Sequence, residues 1–262
     1  MKGGDSMPTT VRELFQHVGV PLEGVVPWRT PVPLTLPGIY VVATSPDPDE
    51  RTGLATAPMD LNAIEQLRTA RPELTIDGET PSAEEVAERL HAMWPAGEVV
   101  VYIGLAGTDT RQRVNQYYRT RIGARAPHAG GWPVKMLDSR CLWVHYGRSS
   151  SPAAHESLMV EHFASNIEEA AKRALHDYAA PLPYANLEYP NGRRKNHGFR
   201  RVKESRSSEG SVRSRSIDTA APSDAPLAYA ASFGRRVPRH DYGTCPDCFT
   251  ARTPSGNCAC AN

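Results

Sequence analysis

No stretch of this 262-residue chain is apolar for long enough to cross a membrane. The longest such run, Val99 to Ala106, is interrupted by Gly104 and falls well short of the roughly 20 residues that a spanning helix needs. The opening residues, Met1 to Thr10, are polar and lack the apolar core of a secretion signal, so the expected compartment is the cytoplasm, with no membrane partner. An excess of one charge is missing too. Lys plus Arg number 30 against 29 for Asp plus Glu, so net charge by itself selects no partner. Cysteine is nearly absent from the body of the chain: Cys141 stands alone, and the other four of the five crowd the end. That distribution argues against a disulfide framework and for a local metal site. Several nucleotide and metalloprotease signatures are lacking, namely GxxxxGK[ST], GxGxxG and HExxH. An Asn196-His197 pair lies in the second half, but the paired histidines that precede the central Asn of an HNH nuclease are missing.

Proline, by contrast, is abundant: 23 residues, about twice the usual frequency of about 5%, which implies long connectors. A helix through Val11, Leu14, Phe15 and Val18, capped by Thr9 or Thr10, leads into a Pro-rich connector that ends residues 1–37. Gly38 to Thr44 reads as a first strand and Val99 to Ile103 as a second, both rich in β-branched residues. Two helices are expected between them. One starts at Asp60 with Leu61, Ile64 and Leu67 on a single face; the other starts at Ser82 with Val86, Leu90 and Met93 on a single face. Ser82 and Glu85 have capping-box spacing. Arg111 to Arg119 is predicted helical, Cys141 to Tyr146 a third strand, and Ser151 to about Tyr178 one long helix. Residues 204–240 are Ser-, Arg-, Ala- and Pro-rich and read as a flexible basic linker. The expected class is α+β: a small three-stranded mixed or antiparallel sheet flanked by helices.

The chemistry lies in an order of features. Gly38-Ile39-Tyr40 opens the first strand and Tyr102-Ile103-Gly104 closes the second. A helix follows with Arg111, Arg113 and Tyr117, then a later helix with Glu156 and Glu161, then Asn186 in Pro181-Leu-Pro-Tyr-Ala-Asn186. This order resembles the GIY-YIG nuclease family, which includes excision-repair, homing and some restriction endonucleases. The resemblance covers about Gly38 to Arg201, in a domain of residues 38–203 with an insertion at 45–97 where the family has a short hairpin.

The resemblance implies a metal-dependent endonuclease acting on DNA, most simply double-stranded. It implies that Glu156 is the one carboxylate ligand of Mg²⁺ (or Mn²⁺), which suffices for a cation that keeps several waters. Arg113 is expected to hold non-bridging phosphate oxygens, with Arg111 a rival, as Glu161 is for Glu156. Tyr40 is expected to be the general base or its hydrogen-bond relay. Tyr102 would orient water or phosphate, Tyr117 shares the helix face of Arg113, and Asn186 would support the site by side-chain hydrogen bonds. A catalytically silent nucleic-acid-binding module, or a protein-interaction module working through its cysteine tail, share the same pattern.

Between Asn191 and Ser216 stand nine Lys or Arg and two Glu. Arg193, Arg194, Lys195, Arg200 and Arg201 are therefore candidate backbone contacts, which add affinity rather than sequence choice. In residues 241–262, the pairs Cys245/Cys248 and Cys258/Cys260 have the spacing of a tetrahedral, four-cysteine Zn²⁺ site. Oligomeric state is not legible.

Overall fold

The structure is a computed structural model that describes residues 8–124, 131–189 and 192–201. The linker and the cysteine tail, with Cys245, Cys248, Cys258 and Cys260, lie outside the described residues.

The most apolar short segment, β2 (Gly38–Ala43), is buried at every position. A strand of this kind belongs in the middle of a sheet covered on both faces. It lies between β4 (Val100–Ala106) and β5 (Trp143–Arg148), and β1 (Gly24–Pro27) closes the far edge, giving the antiparallel order β1-β5-β2-β4. The α+β class is as the sequence implies, but the sheet has four strands, not three. The extra strand comes from the Pro-rich connector: its Gly-Val-Val-Pro is half exposed and short, so it carries no strong hydrophobic signal, and pairing with β5 makes it a strand.

Alternation along β2 divides the interior into two layers. Tyr40 and Val42 face a core that contains Trp28, Val114, Tyr117 and Tyr184. Ile39, Val41 and Ala43 face a second core with Leu14, Phe15, Met159, Val160 and Phe163. Helix α1 (Val11–His17), closed by a Thr10/Glu13 capping box, and α5 (Pro152–Asn166) contribute to the second layer.

Between β2 and β4 the insertion folds as α2 (Leu61–Ala70), β3 (Leu74–Ile76) and α3 (Ala83–His91). Asp60 caps α2, and Ser82 with Glu85 forms the expected capping box on α3. Val86, Leu90 and Met93 are buried as expected, but Leu61 is 59% exposed. It occupies the first position of its helix, one step off the apolar stripe, and Ala63 packs inward beside Ile64 and Leu67 instead.

Helix α4 (Thr110–Arg119) is capped by Asp109. The single long helix expected after Ser151 is two helices, α5 and α6 (Glu169–Ala174). The last turn of α5 closes on itself, because Ser165 donates to the Glu161 carbonyl and Asn166 to that of His162. The chain then turns so that Ile167, Ala171 and Leu175 reach the second core. Finally β6 (Phe199–Arg201) pairs with β3, tying the end of the described chain to the insertion. No helix among the described residues is long and apolar enough to cross a membrane.

Glu98, just before β4, is 2% exposed, and its Oε2 has no hydrogen-bond partner among the described residues. Burial raises its carboxyl to about 7. The folded protein therefore holds a proton that the unfolded chain releases near the ordinary Glu value, and stability falls as pH rises from about 4.5 to about 7. Glu98→Gln removes that loss. Thermal melts at pH 8 are expected to show the variant more stable than wild type by on the order of 1–3 kcal/mol, with the gap closing by pH 4.

Candidate active site

The two sequence tripeptides meet because β2 and β4 are neighbours. Tyr40 lies opposite Gly104, and Tyr102 lies opposite Val42. Residues two apart on one strand share a face, so both phenols point into the same layer, with ring centroids 6.0 Å apart. Gly104 makes this possible. A Cβ built on it would stand 2.6 Å from the Tyr102 ring and 2.7 Å from Cζ of Tyr40, so any other residue would push the rings apart. The two phenols are hydrogen-bonded to each other.

Arg113 projects from α4 and Glu156 from α5, and the charge of each is felt at both phenols. Burial raises Glu156 to about 7, although the positive charge of Arg113 opposes the rise. Burial also raises Tyr40 well above its ordinary value, and it raises Tyr102 to about 12. Both phenols are therefore neutral at physiological pH. The rivals are placed elsewhere. The Arg111 guanidinium donates to the carbonyls of Val32 and Pro33 at 3.1 Å each, and Glu161 is exposed on α5.

Other expected residues support the site from behind. Tyr117 is fully buried, and its hydroxyl donates to the Gly131 carbonyl. Its ring packs edge-on against Tyr102 and Trp28, at 5.7 and 5.2 Å. It wedges Tyr102 in place rather than facing a phosphate. Asn186 is also buried. Its Oδ1 accepts from the Ile103 N–H and its Nδ2 donates to the Ile103 carbonyl, both at 2.9 Å. With Ala185 N–H donating to the Val101 carbonyl, it covers the outer edge of β4, a row that would otherwise need a partner strand. The support expected of Asn186 is thus given to the backbone beside Tyr102.

The basic candidates separate. Lys195 is buried, and all three of its ammonium protons go to the carbonyls of Leu182, Pro183 and Tyr184, at 3.3, 3.0 and 3.2 Å. It organises the loop that carries Asn186 and is not a surface contact. Arg194 is exposed and paired with Glu188. Arg193 lies over the ring of Tyr189 and donates to the Ala179 carbonyl. Arg200 is exposed on β6, while Arg201 pairs through its backbone with Leu74.

Sequence reasoning missed Ser149 and His155. Ser149 Oγ accepts from Ser151 N–H and bonds Nδ1 of His155, the residue before Glu156, at 2.8 Å, which ties down the first turn of α5. Ser151-Pro152 signals a helix start, but nothing in the sequence singles out this pair. Among the described residues no three His, Cys, Asp or Glu side chains form a metal cage. Glu156 is a single hard oxygen donor in half-buried surroundings, which suits a cation that keeps most of its waters.

Compared with protein-family models, curated proteins and solved structures, the chain matches none.

Two substitutions test the architecture without reference to activity. Gly104→Ala should lower stability by about 1–3 kcal/mol through ring displacement. Asn186→Ala should cost about 2–4 kcal/mol by leaving two buried backbone groups of Ile103 unpaired. Urea unfolding at pH 7 checks both. An exposed change such as Arg173→Ala should stay within about 0.5 kcal/mol.

Proposed function

We propose that this chain is a metal-dependent endonuclease that hydrolyses phosphodiester bonds of double-stranded DNA in the manner of GIY-YIG nucleases. What supports the reading above all is the convergence of Tyr40, Tyr102, Arg113 and Glu156, contributed by two adjacent strands and two helices.

Each side chain has work that suits its environment. The planar guanidinium of Arg113 would bind two non-bridging phosphate oxygens and stabilise the charge that builds there. The phenols stay neutral, which favours the relay role over a phenolate base. Because the two phenols are hydrogen-bonded to each other, the pair can take up a proton from an attacking water at Tyr40 and release one at Tyr102. As that water loses a proton to Tyr40, Tyr40 passes its own to Tyr102, and Tyr102 passes its own to a phosphate oxygen. Every proton is accounted for and no buried phenolate forms. Glu156 would hold Mg²⁺ or Mn²⁺, which when bound supplies Lewis-acid stabilisation of the leaving oxygen.

Since the carboxylate and not the acid is the ligand, the raised value of Glu156 makes metal binding pH-sensitive. Cleavage of supercoiled plasmid at sub-saturating Mg²⁺ is expected to rise about tenfold per pH unit up to about pH 7 and then level off. Glu156→Gln should keep DNA affinity and lose cleavage by on the order of 10³-fold or more. Near-normal cleavage by that variant would overturn the assignment. Wild-type binding of duplex with no cleavage in either metal would point to a silent module.

The tail extends the proposal. Four closely spaced thiols in a reducing cytoplasm suit one Zn²⁺ on Cys245, Cys248, Cys258 and Cys260. Metal analysis should find about one zinc per chain, lost in a Cys245→Ser/Cys248→Ser variant, with plasmid cleavage retained.

A further inference from the structure

Arginines in the described part of this protein are mostly neutralised. Arg12, Arg51, Arg68, Arg71, Arg89 and Arg140 each meet a carboxylate. A different pattern holds in a cavity of about 270 Å³ beneath the end of α4, lined by Arg29, Arg119, Arg121, Lys135, Trp28 and Asp60 among others. Arg29, Arg119 and Arg121 are exposed, and none of them has a carboxylate partner among the described residues. Asp60 is the one acid in the wall, and its Oδ1 caps α2 through the N–H groups of Asn62 and Ala63.

Lys135 makes the cavity a built feature rather than a charged rim. It is half-buried, and its ammonium spends one donor on the Thr120 carbonyl. Among the described residues its other two N–H donors meet no acceptor. Its Nζ stands 5.6 Å from the centroid of the Tyr117 ring, and the same ring packs against Tyr102. One buried tyrosine therefore touches both a cavity-lining residue and the phenol pair, in the same layer of the molecule.

From this we infer that the cavity is a second phosphate site. It would hold one phosphate of the nucleic-acid strand whose scissile phosphate lies at Arg113, so it rests on the nuclease reading and adds a subsite to it. The chemistry matches: residues that carry three forked guanidinia and a partly desolvated ammonium line one polar space. Such a contact fixes the register of the strand and selects no base.

The test uses the full chain carrying Arg119→Ala and Arg121→Ala, two exposed positions whose loss leaves the fold intact, with Arg173→Ala as control. Affinity for a fluorescent duplex without divalent metal is measured against salt. In parallel, the Trp28 indole signal is followed by NMR as inorganic phosphate is added. For the double variant, the slope of log K against log salt should fall by about 1, as expected when one phosphate fewer is neutralised. The Trp28 response to phosphate should be strong in wild type and control and absent in the variant. An unchanged slope together with an unchanged Trp28 response overturns the second site, while loss of cleavage in Glu156→Gln keeps the nuclease reading. The predicted changes in a protein that never cleaves would leave the phosphate site standing and remove the nuclease reading. A Trp28 response to phosphate without any duplex binding assigns the cavity to free phosphate and overturns the nucleic-acid strand as its occupant.

Discussion

The close pairing of β2 with β4 over a residue that lacks a side chain is the constraint on which the rest depends. Tyr40 sits directly across from Gly104, and its ring occupies the space a Cβ would take. That packing brings two phenols within hydrogen-bonding reach inside a protein interior, where burial holds both neutral. Everything nearby serves that contact. Tyr117, itself packed against Trp28, wedges Tyr102 from behind, Asn186 clamps the adjacent Ile103 backbone, and Lys195 holds the loop that carries Asn186.

A long insertion does little harm to this arrangement because loop closure costs grow only slowly with length. The insertion has its own capped helices and buries Ile64, Leu67, Val86 and Leu90 in the layer that contains the tyrosines. It thus shares a core with the site, and it accepts β6 as a partner strand. Sharing a core in this way couples the shape of the insertion to the position of the phenols, even though it contributes none of the four converging side chains. The basic cavity at the end of α4 takes one wall from the same insertion, through Asp60 and Ala63.

Electrostatics divides the molecule's charges into two kinds. Most arginines are tied to nearby acids at the surface, where each pair is worth little. Arg113 and the three guanidinia of the cavity are not. Glu156 and Glu98 are both carboxyls that burial raises to about 7, and each makes the folded state less favourable at high pH. Glu98 has no visible chemical use, whereas the strain at Glu156 is what a divalent cation would relieve.

Local signals in the sequence determined a good deal. Capping residues located α1, α2 and α3, since Thr10, Asp60 and Ser82 each bond the first turn of the helix they precede. Runs of β-branched residues located β2 and β4, and the order of Tyr, Tyr, Arg and Glu named the residues that converge, with Asn186 bracing the strand beside them. Tertiary structure decided what depends on partners distant along the chain. Only pairing with β5 makes Gly24–Pro27 a strand, and only the demand to bury Ile167 and Leu175 breaks the long helix in two. Arg111 and Arg113 have the same chemistry and lie two residues apart; carbonyls brought from Val32 and Pro33 occupy one and leave the other to the site. Lys195 looked like one more cation in a basic run, but three carbonyls converging on its amine make it an interior brace. Composition records how many charges a segment carries, and only packing decides which of them keep their solvent.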